Sequence, residues 1–565
     1  MPGEYNVEVP VGFYTQVMGL GKQPDDVVFT SPKGVYCEEG SLTQETGALD
    51  TFWRSAENFK TTATFPWATT PSGGMLWAVS QASPLRRVHV TTNLALYEYV
   101  PPYLAAGYAS GGFMGDSQVD GAVFAGSQQQ FCTRNTNIGN GGWQNGNWNM
   151  VFIGSPGAPA PNCGSPVGVV TVDETPLVAE KPFITFDPSA QKYSLEVPAP
   201  RERSKGPSFA DPSASTVSVD FEHVYVASND TDTARSINAK LSNGLHVVLA
   251  PGIFALDAPL ELTHEGQVLL GLGLATLVSA DGNAVVTVST AAMGARVAGL
   301  ILQAGVHPTE ALLVWGVDPP SQRRVGTGQR RPLAAERRGG REGSIAAAPA
   351  DPAPAFAGGM SDLFVRVGGP DGDVPVQAKL MVDVRSSDVF GDNLWLWRAD
   401  HTSTGIVANR ANPCETGLRV SGDRVRMYGL AVEHTLADQL QWSGEDGEVY
   451  FFQCELPYDV DQASFGDAGY VGYRVADGVS GHSSHGAGVY TFMRDNQVTM
   501  KSGIVAPAAL ESSFVSPLAV FLSGQGTLEH VINDKGPGVD PSGGGGHAEW
   551  WCPAQTEPVS PLEIF

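Results

Sequence analysis

The sequence predicts an all-β protein: two right-handed parallel β-helices, or solenoids, joined by a linker. Three observations carry this reading. Short apolar alternations (Leu418/Val420, Val425/Met427, Val449/Phe451) are separated by Gly and Asp turns, leaving no room for helices of ordinary length. Such pieces return at a steady interval, as the coils of a stacked solenoid do. A motif near the start also recurs near the middle: Pro2-Gly3, Tyr5, Pro10 and Gly19-Leu20-Gly21 are echoed by Pro251-Gly252, Phe254, Pro259 and Gly271-Leu272-Gly273. Composition agrees, with 16% charged residues, 67 Gly and 40 Pro in 565 residues, and 42% hydrophobic content to fill the cores.

The first solenoid is expected over residues 1–180. It opens directly at a Pro-Gly turn, whereas the second copy is preceded by ARSINAKLSNGLHVVLAPG, a short helical piece and a strand. The first coil is therefore expected to lack its leading element, and any leader before it. Residues 75–90, 110–135 and 148–154 alternate between Gly turns. The segment 138–148 reads as a loop; its Trp143 and Trp148 can stack on a sugar ring or pack internally. Residues 181–217, rich in Pro, Ser and charge, read as the linker. The second solenoid is expected over 218–535, interrupted by 318–357, where seven Arg between 323 and 341 give way to Ala and Pro and disorder is expected. Residues 536–565 read as a flexible tail, and His482 and His485 as loop histidines with no third metal ligand in view.

The net charge of −25 and pI near 4.7 argue against nucleic acid or an anionic membrane as partner, and suit a monomer acting on a neutral polymer. No apolar run reaches the roughly 18 residues of a membrane span, and MPGEYNVEVP carries no signal-peptide pattern. The six Cys include no CxxC pair, so neither a zinc site nor any other metal or cofactor is expected. Their pairing stays open. Cys454 should face the core, since strand neighbours alternate.

The chemistry concentrates between Asp392 and Asp459. Glu433 and Glu455 lie 22 residues apart, about one coil, which places them on neighbouring strands roughly 4.8 Å apart. Two close carboxylates tend to split their pKa values, and glycoside hydrolysis uses one protonated and one ionised group. Nearby Tyr428, Gln441, Trp442, Tyr450, Gln453 and Tyr458 are the residue types that line sugar clefts.

The motifs WAVSQA (77–82), SGGFMGD (110–116), QQFCTRN (129–135), LWLWRADH (394–401), YGLAVEH (428–434), QCELPYD (453–459) and GAGVYTF (486–492) together resemble glycoside hydrolase family 55. They run through both halves in order. The nearest branch often carries the label adenylyl cyclase, yet GLGLAT at 271 lacks the βαβ context of a nucleotide loop. The resemblance implies an extracellular, inverting exo-β-1,3-glucanase with its active site in the cleft between two β-helices and a polysaccharide as partner. It implies Glu455 as general acid and Glu433 in the network handling the nucleophilic water. Gln129 and Gln130 would hold water or sugar hydroxyls, and Gln441, Trp442 and Tyr458 complete the substrate-binding candidates. The chain departs from the family at Asp459, where an aromatic is usual, a change expected to alter the sugar accepted. Other classes compatible with the scaffold are a non-catalytic carbohydrate-binding or surface structural solenoid, and a polysaccharide lyase. A lyase would favour a basic cleft, which this acidic chain lacks.

Overall fold

The computed structural model describes residues 1–38, 49, 51–100, 105–164, 167–318, 356–368, 374–400 and 407–553. The expected insertion thus falls almost wholly outside the described residues. Two parallel β-helices form. In the first, the strands Gly3–Tyr5, Val27–Phe29, Arg54–Thr61, Leu85–Val90, Phe113–Gly115, Gln130–Arg134, Asn149–Ile153 and Gly168–Val172 stack in parallel. In the second, Val224–Ala227, His246–Leu249, Val268–Ser279, Ala295–Gln303, Gly358–Val367, Val389–Arg398, Arg426–Glu433, Gly447–Glu455, His482–Thr491 and Leu518–Phe521 do the same. A further sheet from Leu260–Leu262 to Thr527–Ile532 closes the other side of these coils. The internal repeat is visible as equivalent pairings: Gly3–Tyr5 on Val27–Phe29, and Ile253–Leu256 on Thr276–Ser279. The helical piece before the second copy is Ala234–Leu241, capped by Thr233, which accepts from the Ser236 N–H.

The long strands of the second solenoid share one bend. Gly299, Asp362, Asn393, Gly429, Phe451 and Gly486 all have positive φ, between 49° and 69°. They stack strand upon strand, and the pairing register skips each of them. Gly, Asp and Asn enter this region easily; Phe451 does so only because its neighbours hold it there. The bend fixes which side chains leave the core. After it, Leu430 and Val432, and likewise Phe452 and Cys454, point inward, while Ala431, Glu433, Gln453 and Glu455 point out. Cys454 therefore faces the core, as alternation predicts.

The outward face of this sheet packs on the first solenoid. Phe113, Cys132 and Val151 meet Phe390, Tyr428 and Tyr450, and Phe52 and Trp53 meet Phe364, Trp395 and Trp397. Between these apolar contacts lies a buried ion network. Arg86 reaches Asp362 at 2.6 Å and Asp392 at 2.7 Å; Arg134 reaches Asp392 and Glu180, each at 2.7 Å. Lys181 joins Glu57 and Asp362. Burial alone would raise the Asp362 and Glu180 carboxyls. The facing Arg86 and Lys181 at Asp362, and Arg134 and Arg201 at Glu180, outweigh it and hold both well below the usual range.

The linker folds into a sheet of its own, and part of the C-terminal stretch read as flexible is folded. The linker carries an antiparallel sheet, Phe183–Asp187, Lys192–Pro198 and Thr216–Asp220, whose Ile184 and Leu195 pack on Val248 and Leu270. In the C-terminal stretch, His547–Trp550 pairs antiparallel with Leu518–Phe521, and a Cys163–Cys552 disulfide ties it to the first half. His482 and His485 are strand residues, not loop residues: His482 is buried against Trp442 and hydrogen-bonded to Tyr473, and His485 stacks on Tyr450.

Candidate active site

Glu433 and Glu455 end neighbouring strands and are register partners. Each lies four residues beyond the stacked bend, at Gly429 and Phe451, so both emerge on the face turned toward the first solenoid. Glu433 is buried. Its Oε1 accepts from Gln81 of the first solenoid at 2.9 Å, and its Oε2 from the Trp395 indole at 2.8 Å. Glu455 is half-buried, and its Oε1 accepts from the Tyr458 hydroxyl at 2.7 Å. The two carboxyls are thus drawn to different partners from a common row.

Tyr458 also lies 2.9 Å from Asp400, whose other oxygen accepts from the Trp397 indole at 3.0 Å. Burial, reinforced by the Asp400 and Glu455 carboxyls, pushes the Tyr458 pKa well up, so the phenol keeps its proton. A hydroxyl has one hydrogen. Both contacts can be hydrogen bonds at once only if one of the two carboxyls is protonated and donates to the phenol oxygen. The geometry therefore favours a shared proton within the Glu455–Tyr458–Asp400 group.

The turn bearing Tyr458 is pinned from behind. Arg398, fully buried, grips Asp459 with two bonds of 2.9 and 2.8 Å, and the Arg410 N–H adds a third at 2.6 Å. The Asp459 carboxylate is thus engaged by Arg398 and the Arg410 N–H. The His434 ring lies 4.4 Å from the Tyr458 ring and 3.7 Å from Asp400.

Beside Glu433 is a cavity of about 20 Å³ between the solenoids, room for roughly one water. Gln81, Gln130, Asn393, Trp395 and Gln453 line it. The Oε1 atoms of Gln130 and Gln453 are buried without a hydrogen-bond partner, and Gln130 Nε2 donates to Ser110. Gln129 is half-buried and does not line the cavity.

The other substrate-binding candidates separate. Tyr458 belongs to the carboxyl group described above. Trp442 is buried in the second solenoid's core, 1% exposed, and cannot stack on a sugar. Gln441, on the same strand Leu440–Trp442, lies on the opposite sheet, paired with Arg419 and Arg474, and turns to Asp438. Trp143 packs on Phe131 and Phe152, and Trp148 lies against Tyr490. Sequence reasoning missed Gln81, Trp395 and Asp400 as partners, although WAVSQA and LWLWRADH contain them.

Comparison with known proteins shows the family and the fold. Residues 224–455, which end at Glu455, match the LAM55 pectate lyase-like domain. An exo-beta-1,3-glucanase from Streptomyces sp. (strain SirexAA-E / ActE) is 38% identical over 558 residues, spanning 96% of this chain and 81% of that protein. The structure of sacteLam55A from Streptomyces sp. SirexAA-E superposes with a TM-score of 0.82 at 34% identity, covering 98% of this chain and 91% of its own. A variant of sacteLam55A in complex with glucose gives 0.80 at 34% identity, covering 98% and 90%. The chain belongs to glycoside hydrolase family 55, a family of glycosidases built on the pectate lyase-like β-helix.

Proposed function

We propose that this protein is an inverting exo-β-1,3-glucanase whose active site is the inter-solenoid face bearing Glu433 and Glu455. The observation that carries the mechanism is the single Tyr458 hydrogen set between two carboxyls. It supplies a reason for a protonated group where a general acid is needed. Glu455 gives its proton to the glycosidic oxygen as the bond from that oxygen to the anomeric carbon breaks. Water attacks the anomeric carbon from the opposite face and yields its proton toward Glu433. Gln130 and Gln453 offer two unpartnered carbonyl oxygens in one small cavity. A water held by one of these carbonyls can turn its other hydrogen toward Glu433 and keep a lone pair for attack. Trp395 and Gln81 hold Glu433 as an acceptor. After turnover Glu455 takes up a proton from solvent and Glu433 releases one, while the Tyr458 hydrogen lies between Asp400 and Glu455.

The relative's activity and the net charge of −25 support a neutral β-1,3-linked glucan as the substrate, with the chain acting outside the cell as a monomer. No helix among the described residues is long and apolar enough to cross a membrane. The test is the anomer first released from laminarin, followed by proton NMR. Inversion gives the α-anomer before mutarotation; an initial β-anomer contradicts the mechanism.

A further inference from the structure

The row that contains the two glutamates continues beyond them. In register across successive strands stand Gln303, Arg366, Trp397, Glu433 and Glu455. Arg366 is therefore two strands from Glu433, about 10 Å at the spacing of a sheet. It is 7% exposed, its Nε has no hydrogen-bond partner, and its guanidinium donates to Gln303 and, at 3.1 Å, to the Tyr14 hydroxyl. Tyr14 comes from the first solenoid. Having accepted from Arg366, its hydroxyl keeps its own hydrogen to give.

Phe13 and Tyr14 are 47% and 45% exposed, side by side. Arg54, itself buried, covers one face of Phe13 at 4.7 Å. From Phe13 a line of ring contacts runs inward, to Phe52 at 6.3 Å and on to Trp395 at 5.1 Å, whose indole holds Glu433. Tyr14 and Trp53 both take left-handed backbone, φ 55° and 57°, and the Tyr14 N–H bonds to the Trp53 carbonyl. The sequence thus places two exposed aromatic rings, a phenolic donor and a buried guanidinium with a spare N–H along the line of the carboxylates. Flat apolar rings beside hydroxyl-directed donors are the chemistry of sugar binding, and no anionic ligand is called for.

We propose that Phe13 and Tyr14, backed by Arg366, form a remote subsite that grips the part of a β-glucan chain lying beyond the reacting sugar. This rests on the inter-solenoid site proposed above. The subsite makes long chains better substrates than short ones. It is tested with Phe13→Ala and Tyr14→Phe, both at exposed positions, and laminari-oligosaccharides from dimer to hexamer. The expected result is a loss of kcat/KM that grows with chain length, reaching about tenfold on the hexamer and residing in KM, the size of one aromatic contact. Calorimetric binding of hexamer against dimer, in a Glu455→Gln background, should show the same trend without turnover. An equal loss at every length, or none, overturns the subsite. So does a changed mass in sedimentation with an unchanged length profile, which would make the patch a contact between copies. If the parent protein releases sugar from no β-1,3-glucan, the catalytic reading falls, while the binding series still decides the subsite.

Discussion

Two clusters of carboxylates lie on the same face of the second solenoid, on neighbouring strands, one at the stacked bend and one four residues beyond it, and they are built on opposite plans. Asp362 and Asp392 are matched to Arg86, Arg134 and Lys181 in a closed, buried set of charges. Among the partners given by the described residues, Glu433 and Glu455 accept from an amide, an indole and a phenol. A carboxylate locked to a guanidinium is held ionised and serves to fasten the solenoids together. A carboxylate met by neutral donors can gain or lose a proton without breaking an ion pair. One sheet face thus holds both a clasp of buried ion pairs and, beside it, carboxyls that accept from neutral groups.

The largest effect should come from exchanging these plans. Asp392→Asn leaves two buried guanidinium groups short of a partner and should cost about 3–5 kcal/mol of stability, read by urea unfolding. The folded fraction should keep most of its activity. Glu433→Gln should do the reverse, changing stability by about 1–2 kcal/mol while lowering kcat by roughly a hundredfold. Equal stability losses would erase the distinction between clasp and site.

A smaller effect concerns a third kind of buried group. Among the described residues His482 meets no opposite charge, and burial depresses its pKa to about 3. Between pH 6.5 and that value the unfolded chain binds a proton that the folded chain refuses. Stability therefore falls as pH falls, by about 1.4 kcal/mol per pH unit. His482→Gln should lessen the slope by about that amount between pH 6.5 and 4.5, leaving the share of His485, whose pKa burial lowers to about 4; the depressed carboxyls of the clasp add little in this range. An unchanged slope would show that another group sets it.

Much of the fold was legible because its signals are local. Alternation broken by turns gives coils, and a coil's length puts Glu433 beside Glu455. Which of a coil's sheets a strand joins is not local, so Gln441 and Trp442 read as cleft residues although they belong to the opposite sheet and the core. The clasp was invisible for a related reason: Arg86 and Asp362 are 276 residues apart, and nothing in either segment names the other. Composition misled at the linker and the C-terminus. Pro, Ser and Gly dominated the reading, while the alternation in FITFD, KYSLEVP and HAEW, short as it is, was enough to form paired strands.

The central claim is that Glu455 is the proton donor. The most direct measurement compares Glu455→Gln with the parent protein on laminarin and on dinitrophenyl β-glucoside, whose leaving group departs without a proton. With Glu455 as donor, kcat on laminarin falls by about 10²–10⁴, while most activity is kept on the activated glucoside. An equal fall on both substrates, or undiminished turnover of laminarin, would contradict it.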